Sequence, residues 1–130
     1  MSRRPTSGPT ELESQVLRLL WNERECTVRQ IHNWLLKQRG GEHRYTSTVK
    51  MLHVMLGKGL VTRDDSIRPQ TFRALASEKK TQRSMLKDLV KLLYDGSSAS
   101  VIMQALADKS ITQEELAKIR EMLERREREK

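Results

Sequence analysis

The fold is decided by residues 45–75, which read YTSTVKMLHVMLGKGLVTRDDSIRPQTFRAL. Apolar residues recur at helical spacing in the first half of this stretch and predict a helix over residues 46–58. Two short runs rich in β-branched and aromatic residues, 60–63 and 71–75, follow on either side of a polar loop that contains a proline. Such a pair of runs predicts a β-hairpin with a long tip.

Two more helices are predicted upstream, and each begins with a capping box. In this motif a Thr hydroxyl and a Glu or Gln side chain bond the free amides of the first turn. Thr10 with Glu13 begins the first helix, and Thr27 with Gln30 begins the second. Three helices followed by a hairpin is the order of a winged helix-turn-helix. In that fold the third helix enters the major groove of DNA, and we expect the hairpin loop to lie along the DNA backbone.

The second half of the chain predicts helices alone, and a third capping box, Thr112 with Glu115, begins the last of them. Three amphipathic helices in so short a segment bury little core by themselves, so we expect them to pack against a second copy. The residues expected in this shared core are Met85, Leu89, Leu92, Leu93, Leu116, Ile119 and Leu123, and the sequence leaves open which of them pack within one chain instead.

The fold class predicted from these patterns is mainly α with a small β-hairpin. The N-terminal winged helix-turn-helix precedes a C-terminal helical dimerisation module. Residues 1–9 are predicted to be a disordered basic arm, residues 10–76 a DNA-binding domain and residues 77–130 a dimerisation domain.

Charge is unevenly distributed over the 130 residues, whose formal net charge is +8. Residues 1–76 hold 13 basic against 7 acidic residues, whereas residues 77–130 hold 12 against 10. The excess in the first part favours a polyanionic partner there, although a basic surface can also serve solubility alone. No apolar run approaches the ~20 residues of a membrane span, so we expect a soluble, cytoplasmic protein.

The chain lacks the sequence patterns of enzymes and cofactor sites. It has no Gly-rich phosphate loop, no zinc-protease motif and no catalytic triad spacing, and its aromatic residues are few for a small-molecule pocket. His32, His43 and His53 are predicted on separate elements, so we expect no metal site. The single cysteine, Cys26, is predicted to be a buried structural thiol. We expect no catalysis, no cofactor and no small-molecule substrate.

Several stretches, in this order, resemble the penicillinase-repressor family (BlaI/MecI/CopY type). The resemblance covers about residues 10–125. The matching stretches are Thr10-Glu11-Leu12-Glu13 with Trp21, Thr27-Val28-Arg29-Gln30-Ile31-His32, Tyr45-Thr46-Ser47-Thr48-Val49-Lys50-Met51-Leu52, Lys58-Gly59-Leu60-Val61, Arg63-Asp64-Asp65 with Phe72-Arg73-Ala74, Asp95-Gly96-Ser97, and Thr112-Gln113-Glu114-Glu115-Leu116.

The resemblance implies a homodimeric bacterial repressor that binds a dyad-symmetric operator in double-stranded DNA. Matching positions in the family contact the operator, and on them we expect Thr46, Ser47 and Lys50 to read base edges. The residues expected to contact the DNA backbone are Arg29, Arg44, Tyr45 and Arg68. In the best-known members a membrane sensor protease inactivates the repressor by cutting its C-terminal region.

The sequence departs from the family pattern at three places. Gln104-Ala105 stands where the best-known members have an Asn-Phe cleavage pair, so these two residues mark the possible cleavage region. Val54 replaces an arginine that is frequent in the recognition helix. No cysteine follows Cys26, which excludes copper sensing of the kind that uses clustered C-terminal cysteines.

Two other functions fit the same residues. One is a winged-helix adaptor that binds another protein, and the other is an architectural protein that binds DNA without sequence preference. Salt-dependent binding to one operator over scrambled DNA distinguishes a repressor from both.

Overall fold

The computed structural model describes residues 8–129. Of the predicted arm, residues 1–9, residues 1–7 lie outside the described residues. The chain divides into two compact units, one running to Met85 and the other beginning at Leu86. No helix within the described residues is long and apolar enough to cross a membrane.

The described residues contain six helices and three short strands. In chain order they are α1 (Glu11–Glu23), β1 (Cys26–Thr27), α2 (Val28–Gln38), α3 (Tyr45–Lys58), β2 (Val61–Asp64), β3 (Thr71–Ala74), α4 (Glu78–Leu93), α5 (Ser98–Leu106) and α6 (Gln113–Arg128). The mainly helical fold with its hairpin, β2 and β3, matches the prediction.

The sheet has one strand more than the predicted hairpin. β1 pairs antiparallel with β3, which gives the strand order β1-β3-β2. Cys26 lies opposite Phe72 in this pairing, and both side chains are buried. The extra strand therefore ties the start of α2 to the hairpin.

Capping residues determine where the helices begin and end. The boxes predicted at Thr10, Thr27 and Thr112 are all present, each with both reciprocal hydrogen bonds. At the other end of α3, Gly59 adopts the left-handed conformation with φ of 78°, which is typical of a helix C-terminus.

The first unit contains the hydrophobic core. Helices α1, α2 and α3 and the sheet contribute to it, and the chain that leaves the hairpin is fixed by a hydrogen bond from Trp21 Nε1 to the carbonyl oxygen of Ala76, at 2.9 Å. The buried apolar residues are Val16, Leu17, Leu19, Leu20, Cys26, Ile31, Leu35, Leu52, Met55, Val61 and Phe72.

A partly buried ion pair joins the start of α1 to the end of α3. Lys58 Nζ lies 2.8 Å from Glu13 Oε1, and the same oxygen accepts the backbone N–H of Thr10 at 3.0 Å. The Glu13 side chain is only 6% exposed. Breaking this ion pair would leave the buried Glu13 carboxylate without a partner, which is unfavourable. The pair therefore holds the end of α3 against the start of α1.

The second unit has little core within one chain. Val90 is the one apolar residue buried there among the described residues, and neither α5 nor α6 has a buried side chain. The last helix runs through the charged stretch after Leu123 and continues to Arg128, because Glu and Arg are good helix formers.

Candidate nucleic-acid interface

One face of α3 is buried and the opposite face is exposed. Thr48, Leu52 and Met55 lie in the core of the first unit. Thr46 and Lys50, one turn apart, point to the other side and are exposed. Because one face of α3 packs on the core and the opposite face is exposed, α3 can enter a groove of DNA.

The hydroxyls of Thr46 and Ser47 are not used to cap α3. The N-cap residue is Arg44, and no side chain forms a cap hydrogen bond there. Within residues 8–129 neither hydroxyl has a hydrogen-bond partner, and Lys50 has no ion-pair partner. All three side chains are therefore free to contact a ligand.

A buried hydrogen bond connects α2 to α3. His32 Nδ1 and Thr48 Oγ1 lie 2.9 Å apart, and both side chains are almost fully buried. A buried polar group that loses its partner destabilises the fold, so this pair fixes the spacing of the two helices. These helices form the helix-turn-helix.

Aromatic contacts arrange the residues at the entrance of α3. The Tyr45 ring meets the His32 ring edge to face, with 5.1 Å between their centroids. The Arg29 guanidinium lies 4.3 Å from the centroid of the Tyr45 ring. This cation–π contact holds an exposed positive charge from α2 beside the first residue of α3.

His43 lies closer to His32 than the sequence suggested. The expectation that the histidines are separate is wrong for this pair, whose ring centroids are 6.0 Å apart. Gly40 and Gly41, with φ of 70° and 88°, turn the chain back after α2 and bring His43 there. No cluster of three metal-binding side chains is found in the part of the chain that the structure describes.

Burial changes the chemistry of His43. Its Nε2 atom is buried without a hydrogen-bond partner among the described residues. Desolvation, followed by the nearby charges of Arg39 and His32, lowers the pKa of His43 below its ordinary value of 6.5. The neutral ring is therefore favoured in the folded protein.

The acidic side chains of the hairpin loop all have partners. Ser66 donates from Oγ and from its backbone N–H to Asp64 Oδ1, at 2.6 and 2.9 Å, and these bonds lower the pKa of Asp64. Asp65 pairs with Arg63 Nε at 2.8 Å. Arg68 Nη1 donates to the carbonyl oxygen of Asp65 at 3.3 Å, so the loop presents Arg68 as an exposed cation.

Two exposed residues on α3 were not among the residues that the sequence assigned to DNA contact. Val49 and His53 lie three and seven residues after Thr46, and this spacing places them on the same outward face. The sequence contains the information needed to find them. The helical period of the apolar residues identifies the buried face of α3, and the opposite face is the exposed one.

Five of the seven residues that the sequence assigned to dimerisation are exposed, and all of the seven except Met85 lie in the second unit. Leu92 and Leu93 are 72% and 69% exposed, and Leu123 is 53% exposed. Leu89 and Met85 are 39% and 41% exposed, and Met85 lies in the first unit. Leu116 and Ile119 are partly buried.

The possible cleavage pair lies within a helix. Gln104 and Ala105 are exposed near the end of α5, which begins after its N-cap Ser97. The Tyr94 hydroxyl donates to Gln104 Oε1 at 2.9 Å and joins α5 to the turn that precedes it.

Comparison with known proteins identifies the family. The sequence profile of the family described as penicillinase repressor matches residues 9–125, which confirms the resemblance seen in the sequence. No curated protein matches the chain. The solved structure of RosR from H. salinarum is similar, with 20% identity and a TM-score of 0.49 over 78% of this chain and 94% of that chain. A likeness of this degree carries no functional argument. Because the family profile spans most of the sequence, this chain belongs to the penicillinase repressor family, a family of DNA-binding transcriptional regulators and not of enzymes.

Proposed function

We propose that this protein is a homodimeric repressor that binds a dyad-symmetric operator through α3 and the hairpin. The observation that carries the proposal is the outward face of α3. There Thr46, Ser47 and Lys50 are exposed and free of partners within the described residues. Side chains of these types bond to base edges in the major groove, where each base pair presents a distinct pattern.

Four further residues are proposed to hold the DNA backbone: Arg29, Arg44, Tyr45 and Arg68. Arg29, fixed over Tyr45, and Arg44, at the N-cap of α3, are exposed beside the proposed base-reading residues. Arg68 is exposed on the hairpin loop, whose acidic side chains are already paired. Contacts of this kind set the position and orientation of a protein on DNA, and they make binding dependent on salt.

A second copy is proposed to cover the exposed leucines of the second unit. Leu92 and Leu93 are 72% and 69% exposed, so in a single chain their apolar side chains contact water. Among the described residues of the second unit, Val90 is the only buried apolar residue. Two linked DNA-binding units gain affinity through their high effective concentration on a two-fold operator.

Release from the operator is proposed to follow cutting or disruption of residues 96–108, which contain the possible cleavage pair Gln104 and Ala105. The family resemblance implies a membrane sensor protease as the inducer, although the Asn-Phe pair of the best-known members is absent here. Gln104 and Ala105 are both exposed, but they lie in α5, so the helix must open locally before a protease can bind them as an extended strand. A protease site built between Ser97 and Ser98 tests the idea. Cutting there is expected to abolish dimerisation and operator binding. If the cut protein stays dimeric and binds at full strength, the mechanism fails.

Selection from a pool of random duplexes tests the proposed function. The full-length protein is expected to enrich one two-fold symmetric sequence with half-sites about 10 base pairs, or a multiple of that, apart. An architectural DNA-binding protein would bind every duplex with the same salt dependence, and a protein-binding adaptor would bind none. Either result would contradict the proposal.

A further inference from the structure

Two valines on α3 face away from the core. Val49 is 40% exposed and Val54 is 47% exposed. Valine is a poorer helix former than Ala, Lys or Glu, because its branched side chain loses freedom against the preceding turn. Neither helix stability nor contact with water favours valine at these two positions. The exposed methyl groups of Val49 and Val54 do not pack in the core.

Single apolar residues are common on protein surfaces, so exposure alone does not indicate a contact. Val49 differs from Val54 by its position nearer the start of α3. It lies three residues after Thr46, directly before Lys50 and four residues before His53, and all three are exposed on the outward face of α3. Its methyl groups therefore lie among polar groups suited to base edges. In helix-turn-helix proteins it is the N-terminal part of the recognition helix that contacts the bases.

We propose that Val49 contacts the C5 methyl group of a thymine in each half-site and selects thymine at that position. This inference rests on the proposed function, because it requires α3 to lie in the major groove. The thymine methyl is the apolar group that a base pair presents there, and small apolar side chains recognise it by contact. Hydrogen bonds from Thr46, Ser47 and Lys50 cannot detect this methyl group.

Uracil in place of thymine gives a sharp test, because it removes the methyl group and leaves the hydrogen-bonding groups unchanged. The duplex selected by the full-length protein is remade with each thymine replaced in turn by uracil, at equivalent positions of both half-sites. Wild type, Val49→Ala and Val54→Ala are titrated against every duplex. Val54 is the matched control, since it is a valine of similar exposure five residues further along the helix.

One thymine per half-site is expected to respond. Replacing it with uracil should weaken wild-type binding by about fourfold per half-site, the effect of one buried methyl group. Val49→Ala should bind the thymine duplex more weakly than wild type does, and it should bind thymine and uracil duplexes equally. Val54→Ala should keep the wild-type preference for thymine.

Three results would overturn the inference. Wild type could tolerate uracil at every position, Val49→Ala could keep the full preference for thymine, or Val54→Ala could lose it to the same extent as Val49→Ala. In each of these cases the selected sequence stands, and with it the proposed function. If selection enriches no sequence, the proposed function and this inference fail together.

Discussion

His32 Nδ1 lies 2.9 Å from Thr48 Oγ1, and both side chains are buried where α2 meets α3. Replacing Thr48 with Val keeps the shape of the side chain and removes the hydroxyl. The buried imidazole nitrogen then loses its partner, so we expect the free energy of unfolding to fall by ~1–3 kcal/mol.

Urea denaturation of the variant measures this loss. Thr62→Val, an exposed position on β2, is the control and should change stability by less than ~0.5 kcal/mol. Equal stability of Thr48→Val and wild type would mean that the hydrogen bond does not hold the two helices together.

Two glycines near the end of α3 should respond to alanine in opposite directions. Gly57 is helical and a Cβ there would meet nothing within 4 Å, so Gly57→Ala should stabilise the protein by ~0.5–1 kcal/mol. Gly59 has φ of 78°, which an L side chain adopts only with strain, so Gly59→Ala should destabilise it by ~1–2 kcal/mol. Thermal unfolding of both variants checks the signs, and a shift in the same direction for both would contradict this account.

His43 should make stability depend on pH. Because its pKa is lowered in the folded protein, the unfolded chain binds more protons in the window between the lowered value and 6.5. Stability should therefore fall as the pH drops through this window. Denaturation of wild type and His43→Gln at about pH 7.5 and about pH 5 measures the effect. The variant should lose less stability than wild type, and equal losses would show that His43 is not responsible.

Dimerisation should depend on the exposed leucines of the second unit. Leu92 is 72% exposed, so Leu92→Glu should leave the folding of one chain intact and place charges in the shared core. Sedimentation is expected to show a monomer whose operator affinity is weaker by ~10²–10⁴. Leu75→Glu, at 60% exposure in the first unit, is the control and should stay dimeric. A dimeric Leu92→Glu protein would place the interface elsewhere.

The elements that local sequence determines were predicted well. Thr10, Thr27 and Thr112 form capping boxes within four residues of chain, and Gly59 ends α3 through its own backbone conformation. Such features depend on neighbours along the sequence, and a pattern of residue types is enough to find them.

Features that depend on distant residues were missed. β1 has only two residues, too few for a period of two to show, and it exists because Cys26 and Thr27 pair with β3. His32 and His43 are brought together by the turn through Gly40 and Gly41, whose path no pattern of apolar residues describes. In the same way, the sequence marked Lys50 as a base-reading candidate but could not show that its side chain is exposed and has no ion-pair partner within residues 8–129.

The central claim is that α3 reads base edges. The most direct test is whether Lys50→Ala still distinguishes the selected duplex from a scrambled one. Wild type, Lys50→Ala and Arg68→Ala are titrated against the selected duplex and against a scrambled duplex of the same composition. Arg68→Ala is the comparison for a backbone contact. It should weaken binding to both duplexes alike and reduce the salt slope by about 1.

Wild type is expected to prefer the selected duplex by at least ~10³. Lys50→Ala should lose ~1–3 kcal/mol of that preference, because a base contact stabilises only the correct sequence. If Lys50→Ala instead weakens binding to both duplexes equally, as Arg68→Ala does, Lys50 contacts phosphate and the claim that it reads bases is wrong.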